Sequence, residues 1–292
     1  MPEYKISAIE GNRQRLDGGS MFGNAPRPVW ERWAAPDAVG RIELACRSLL
    51  IEGDGKKVLC ETGIGAFFEP KLADRYGVQE PSRHILLDSL TKLGIDESQI
   101  DYVVLSHLHF DHAGGLLHSF AEQQAGKTDL LFSKAKYIIG KEAWERALKP
   151  HSRDRASFIP GMTEKLQASG RLVLIDGDHI PGLWQDRLRF VRTSGHTPGQ
   201  LHTVFRGARA TVFFAGDLIP GTAWVHLPIT MGYDRFPELL IEEKAQIYES
   251  VVGEKWWTFY THDSKVAMSH IAQDAGKYLP FEPQLNVTRF SL

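Results

Sequence analysis

Four side chains able to hold a metal, packed into six positions, constrain this chain more than any other feature. Residues 105–115 read LSHLHFDHAGG, so His107, His109, Asp111 and His112 follow directly on the apolar run Asp101–Leu105. An extended segment points alternate side chains the same way. That predicts His107, His109 and Asp111 converging on one point, with His112 turned toward a second as the chain bends through Ala113-Gly114-Gly115. Imidazole and carboxylate are the ligands that Zn²⁺ and similar divalent ions accept. Buried without a metal, the same groups would suffer desolvation and mutual crowding, and exposed they would need no buried strand to present them.

Around this cluster, short β-branched runs alternate with longer helical patterns. Strands are expected at Ser48–Ile51 and Lys57–Cys60, flanking the turn Glu52-Gly53-Asp54-Gly55, and again at Asp101–Leu105, Tyr137–Ile139 and Leu172–Ile175. Further strands are expected at Leu188–Arg192, Leu201–Phe205, Thr211–Ala215 and Trp257–Tyr260. Helices are expected over Ile85–Leu93, Lys141–Leu148, Phe236–Val251 and Val266–Lys277. The polar, weakly periodic stretch Lys149–Gly170 reads as a surface excursion. No repeat or linker interrupts the 292 residues, which predicts one α/β domain spanning 1–292.

Composition narrows the partners. A hydrophobic fraction of 42% with 24% charged residues excludes wholesale disorder, and a formal charge of -2 argues against a surface that coats nucleic acid. No apolar stretch approaches the ~20 residues of a membrane span, and the N-terminus lacks a signal-peptide core. A soluble, cytoplasmic protein with a small-molecule substrate, no nucleic acid and no membrane is therefore expected. Cys46 and Cys60 are too few for a disulfide scaffold or a thiolate zinc site and read as small buried hydrophobes.

HLHFDH matches the HxHxDH motif of the metallo-β-lactamase fold hydrolases, and three more of that family's motifs follow in order: SGHTPG with His196, FAGDLIP with Asp217 and FYTHDS with His262. The chain resembles the family from about Leu16 to Asp263. The resemblance implies a four-layer αββα sandwich of two mixed sheets flanked by helices, with a two-metal site at one edge. His107, His109 and His196 would hold one ion, Asp111, His112 and His262 the other, and Asp217 would bridge them. Two divalent ions ~3.5–4 Å apart repel, and a bridging carboxylate and hydroxide lower that repulsion. Zinc is the expected metal; iron, manganese and cobalt suit the same donors. The implied chemistry is attack of a metal-bridging hydroxide on a lactone or carboxylic ester, with Asp111 and Asp217 holding the metals and one of them moving a proton.

The segment Asp17–Trp30, GDLIP, and Leu227–Asp234 are similar to stretches of the N-acyl homoserine lactonases and their methyl parathion hydrolase relatives. The likeness implies an arm, residues 1–40, beside the active site, with Met21 and Phe22 lining an apolar pocket. Two positions depart from it. Pro220 stands where the lactonases carry a tyrosine that holds the lactone carbonyl, leaving Tyr233 to supply that contact. Glu61-Thr62-Gly63 replaces Asp-Thr-Gly, so Glu61 is expected to accept an imidazole N–H from a metal ligand with altered reach. His226 is expected to contact substrate and His202 to hydrogen-bond near the ligands, whereas His84, His118, His151, His179 and His270 read as surface or structural. The aromatic arm with Trp30 and Trp33 suggests a homodimer.

Phosphotriester hydrolysis on the same site is the main alternative activity. The glyoxalase II-like thioesterases share the ligands, but their glutathione-binding C-terminal helical region has no obvious counterpart in the short tail after His262. The family's diiron members carry an acidic residue where this chain has His109. A metal-binding protein without catalysis is the alternative from another class.

Overall fold

Alternation along the strands sorts the apolar side chains into three separate cores, and those cores define the layers. The computed structural model describes residues 3–292. Its strands are β1 (Lys5–Ile9), β2 (Gln14–Asp17), β3 (Arg41–Leu44), β4 (Ser48–Gly53), β5 (Lys56–Cys60), β6 (Tyr102–Leu105), β7 (Lys136–Gly140) and β8 (Leu172–Ile175). They continue with β9 (Leu188–Thr193), β10 (Gln200–Arg206), β11 (Thr211–Phe214), β12 (Trp257–Phe259), β13 (Met268–Asp274), β14 (Lys277–Gln284) and β15 (Phe290–Ser291). One sheet runs β15-β1-β4-β5-β6-β7-β8, a second β14-β13-β12-β11-β10-β9, and β2 and β3 form a small ribbon. The strands β5 to β8 are parallel, as are β11 and β12.

Val58, Cys60, Val104 and Ile138 of the first sheet meet Leu201, Phe205, Val212, Phe214 and Phe259 of the second in the central core. Their neighbours Leu59, Val103, Leu105, Tyr137 and Ile139 point the other way, onto Leu86 and Leu90 of helix Ile85–Lys92 and Trp144 of helix Lys141–Leu148. On the far side Phe213 and Ile271 pack on Leu240, Tyr248 and Val251 of the long helix Pro237–Gly253. The result is the αββα sandwich. At ~25 cal/mol per Å² of buried apolar surface, these three cores are the main favourable term in folding. Cys46 and Cys60 are free and buried. Among the described residues, no helix is long and apolar enough to cross a membrane.

Two expectations are corrected. Val266–Lys277 is not a helix: β13 and β14 form a hairpin there, turning at Ala275 and Gly276, both of which have positive φ. Met268 and Ile271 stand three positions apart, the spacing of a helix face, but strand alternation sends them to opposite sides, Met268 to the central core and Ile271 to the outer one. Lys149–Gly170 is also more than a surface excursion. Helix Met162–Ala168 buries Met162 and Leu166, Asp154 is buried, and Phe158 pairs its backbone with that of His109.

Candidate metal centre

Strand ends deliver the donors to one place. Glu61 follows β5, His107 and His109 follow β6, His196 follows β9, Asp217 follows β11 and His262 follows β12. The chain after His109 does not stay extended. It coils into the helical turn Phe110–Ala113, and at ~100° per residue that turn swings Asp111 away from His107 and His109. Asp111 therefore groups with His112 and His262, while His107 and His109 group with His196. The convergence expected from simple alternation is corrected, and a third group, Glu61 with His107 and His112, links the two. Gly114 and Gly115 serve close approach: a Cβ on either would collide with a carbonyl of the Thr62–Ile64 loop beside them.

The two triads meet at Asp217. Its Oδ2 lies 3.2 Å from His196 Nε2 and 3.3 Å from His112 Nε2, and its Oδ1 lies 3.1 Å from His262 Nε2. Burial and neighbouring imidazoles hold His107 and His109 well below the usual histidine range, so both are neutral, and the buried Nε2 of His107 has no hydrogen-bond partner. Burial pulls hardest on His112 and His262, but the surrounding partners together outweigh it, Asp217, Glu61 and Asp111 for His112 and Asp217, Cys46 and Asp111 for His262, and both end well above that range. Neutral His107 and His109, with His112, His196 and His262 drawn up around a shared carboxylate, are a donor set that fits two divalent ions once those three give up their protons.

Each imidazole is oriented from behind. Glu61, fully buried and at φ +65°, places Oε2 2.8 Å from His112 Nδ1, while its Oε1 accepts from the Ser106 hydroxyl. Ser106 Oγ in turn lies 2.8 Å from His107 Nδ1, so one carboxylate supports a ligand in each triad. His196 Nδ1 lies 2.8 Å from Asp234, and His262 Nδ1 donates to the Ala45 carbonyl at 2.7 Å. Gln14 donates to Asp111 Oδ2 at 2.7 Å. Such partners fix the tautomer and raise ligand basicity.

A cavity of about 180 Å³ opens above the donors, floored by His109, Asp111, His196, Asp217 and His262. Its walls are Leu16, Met21, Tyr76, Phe110, Met231 and Tyr233, with Arg153 among the rim residues. Of the sequence-derived pocket residues, Met21 and Tyr233 are here. Phe22 is not: it is fully buried, stacked between Trp30 at 5.6 Å and Trp224 at 4.5 Å. His226 is also outside, stacked on Trp33 at 5.2 Å. His202 bonds Thr193 Oγ1 at 2.7 Å and touches no ligand histidine; burial takes its imidazole down to about 4. His84, His118, His151, His179 and His270 do not line the cavity. Trp30 is buried within its own chain and Trp33 is 39% exposed. Tyr76, Asp234, Ser106, Gln14 and Arg153 were missed, and only Asp234, inside the lactonase-like stretch Leu227–Asp234, carried any signal.

Fold and donor set together define a metallo-hydrolase architecture. A model of the Metallo-beta-lactamase superfamily matches residues 41–262, and the chain belongs to that superfamily. It is similar to the N-acyl homoserine lactonase of Bacillus thuringiensis, with 24% identity over 239 residues that cover 73% of this chain and 79% of that protein. Among solved structures it resembles a probable metal-dependent hydrolase from Staphylococcus aureus, with a TM-score of 0.83, 24% identity, and coverage of 96% of this chain and 97% of that one. AidC, a dizinc quorum-quenching lactonase crystallised with a homoserine product, aligns with a TM-score of 0.72 and 20% identity over 95% of this chain and 94% of its own.

Proposed function

We propose that this protein is a binuclear metal-dependent hydrolase, with zinc the first candidate metal, acting on a lactone or carboxylic ester. The supporting observation is the Asp217 carboxylate, which faces both histidine triads from the floor of an apolar cavity. Divalent ions held there would polarise the scissile carbonyl and lower the pKa of an attacking water toward ~7. Asp111, turned to the cavity floor and steadied by Gln14, is placed to take the proton of that water and return it to the leaving alkoxide. The Tyr233 phenol, its pKa raised by burial, stays protonated at neutral pH and donates to the oxygen on which charge develops, standing in for the tyrosine absent at Pro220. Met21, Phe110 and Met231 exclude water around the acyl group.

The test is a matched panel of acyl homoserine lactones, simple γ- and δ-lactones, aryl esters and a nitrophenyl phosphotriester, given to metal-loaded protein. Lactone or ester turnover at least ~10²-fold above the phosphotriester in kcat/KM, about 2.7 kcal/mol of transition-state discrimination, is expected. A preference for the phosphotriester, or no turnover of any lactone or ester, would contradict this function.

A further inference from the structure

Beside the metal centre lies a cationic cluster that ester hydrolysis by itself does not require. Arg153 stands near Arg235, and Arg146 and Arg235 flank one carboxylate, Asp154. Arg146 Nε holds it at 3.0 Å, and Arg235 Nε stands 3.8 Å away. Nε and Nη1 of Arg235 are buried without a hydrogen-bond partner, and Arg235 feels both other guanidiniums. Arg153 is exposed at the rim of the cavity, its Nη2 held by the Gly232 carbonyl at 2.9 Å, and it makes no ion pair among the described residues. Two carboxylates share the adjoining groove with it, and both are engaged elsewhere. Asp17 accepts from the Ser20 N–H, and Asp234 pairs with His196 and the Met231 N–H. Three guanidiniums stand close to one another with one buried carboxylate, Asp154, paired to two of them, and Arg153 shares its cavity with Asp111 and Asp217. Phe158, four residues beyond Asp154, stacks edge-on to His109 at 4.9 Å and ties the segment to the site.

Cavity size sets the spacing. A volume of about 180 Å³ is close to the ~150 Å³ of an engineered cavity that holds benzene, so an acyl group of about six carbons fills it. Whatever follows emerges beside Arg153.

We propose that the substrate is an anionic ester or lactone whose short apolar acyl group fills the cavity and whose terminal carboxylate pairs with Arg153, backed by the positive potential of Arg146 and Arg235. The planar guanidinium fork matches a carboxylate with two parallel hydrogen bonds. The proposal rests on the hydrolase function above and deepens it.

The test compares p-nitrophenyl hexanoate with the mono-p-nitrophenyl ester of adipic acid, which differ by a terminal carboxylate. With zinc-loaded wild-type protein at low salt, kcat/KM for the adipate ester is expected to exceed that for the hexanoate at least ~10-fold. In Arg153→Gln the ratio falls toward one, and Arg153→Lys recovers part of it. A wild-type ratio of one or less, or an unchanged ratio in Arg153→Gln, would overturn the proposal while leaving the hydrolase standing. Calorimetric binding of adipate and hexanoate to the same zinc-loaded proteins gives a second readout. Adipate bound ~10-fold tighter, with the preference lost in Arg153→Gln, would support the anion site even if neither ester turned over, in which case the hydrolase function alone fails. Equal binding of the two acids without turnover would overturn both.

Discussion

Glu61→Gln changes one carboxylate oxygen to an amide nitrogen at constant volume, and the geometry predicts damage to one metal position only. One carboxylate oxygen, Oε2, stands 2.8 Å from His112 Nδ1 as a close charge pair, and the other accepts from the Ser106 hydroxyl, which lies 2.8 Å from His107 Nδ1. Both imidazoles thereby keep their protons on Nδ1 and leave Nε2 free for a metal. A carboxamide accepts on one side only. With its oxygen toward His112, its NH₂ donates to Ser106, whose hydroxyl must then donate to His107 Nδ1 and drive that proton onto Nε2. In the flipped orientation the NH₂ confronts His112 Nδ1 and spoils that ligand instead. Loss of such an outer partner costs ~10–100-fold in metal affinity, which is about 1.4–2.7 kcal/mol. In a chelator-competition titration, one of two bound ions should weaken by that factor and the other change less than about threefold. Equal weakening at both positions would refute the claim that the carboxamide spares one side, and weakening at neither would refute the claim that Glu61 supports the donors.

Three further outcomes follow from single contacts. Lys244, fully buried in the long helix, donates from Nζ to the carbonyls of Trp224, His226, Leu227 and Ile229 at 2.7–3.1 Å; Lys244→Met should cost about 3 kcal/mol in urea unfolding at ~1 kcal/mol for each ammonium N–H, and unchanged stability would contradict that role. Burial takes this ammonium from 10.5 down to about 7, so between those values the unfolded chain binds the proton more tightly. Stability conferred by the site should rise from pH ~7 to ~10.5 and be lost again as pH falls through ~7; a pH-independent difference between wild type and Lys244→Met would contradict it. Tyr233→Phe should lower kcat by ~10²-fold with a smaller effect on KM, as removal of an oxyanion donor does; an unchanged kcat would remove the phenol from the mechanism. His109→Ala should lose metal and activity together, and wild-type turnover by metal-depleted His109→Ala protein would contradict metal-dependent hydrolysis.

The candidate donors were legible because all seven sit in short motifs, each at the end of an apolar run. Their partition between two positions was not legible from periodicity: alternation put Asp111 with His107 and His109, and the turn Phe110–Ala113 undid that. The supports were harder still, since Asp234 reaches His196 across 38 positions and Gln14 reaches Asp111 across 97, with nothing local to mark either pair. Met21 and Phe22 diverge because they occupy one short helix, Gly18–Phe22, whose turn sends one side chain to the cavity and the next between two tryptophans. The β13–β14 hairpin was hidden because Met268 and Ile271 stand at helical spacing and because its turn, Ala275-Gly276, reads as the end of a helix. Polarity in Lys149–Gly170 suggested solvent, whereas Arg153, Ala156 and Ser157 of that stretch line the cavity.

The most direct measurement is a titration of metal into metal-free protein while hydrolysis of a γ-lactone or aryl ester is followed against bound metal per chain. Two triads joined by Asp217 predict activity that climbs through the second equivalent and levels at two. A plateau at one equivalent, or turnover that persists without metal, would contradict the binuclear account.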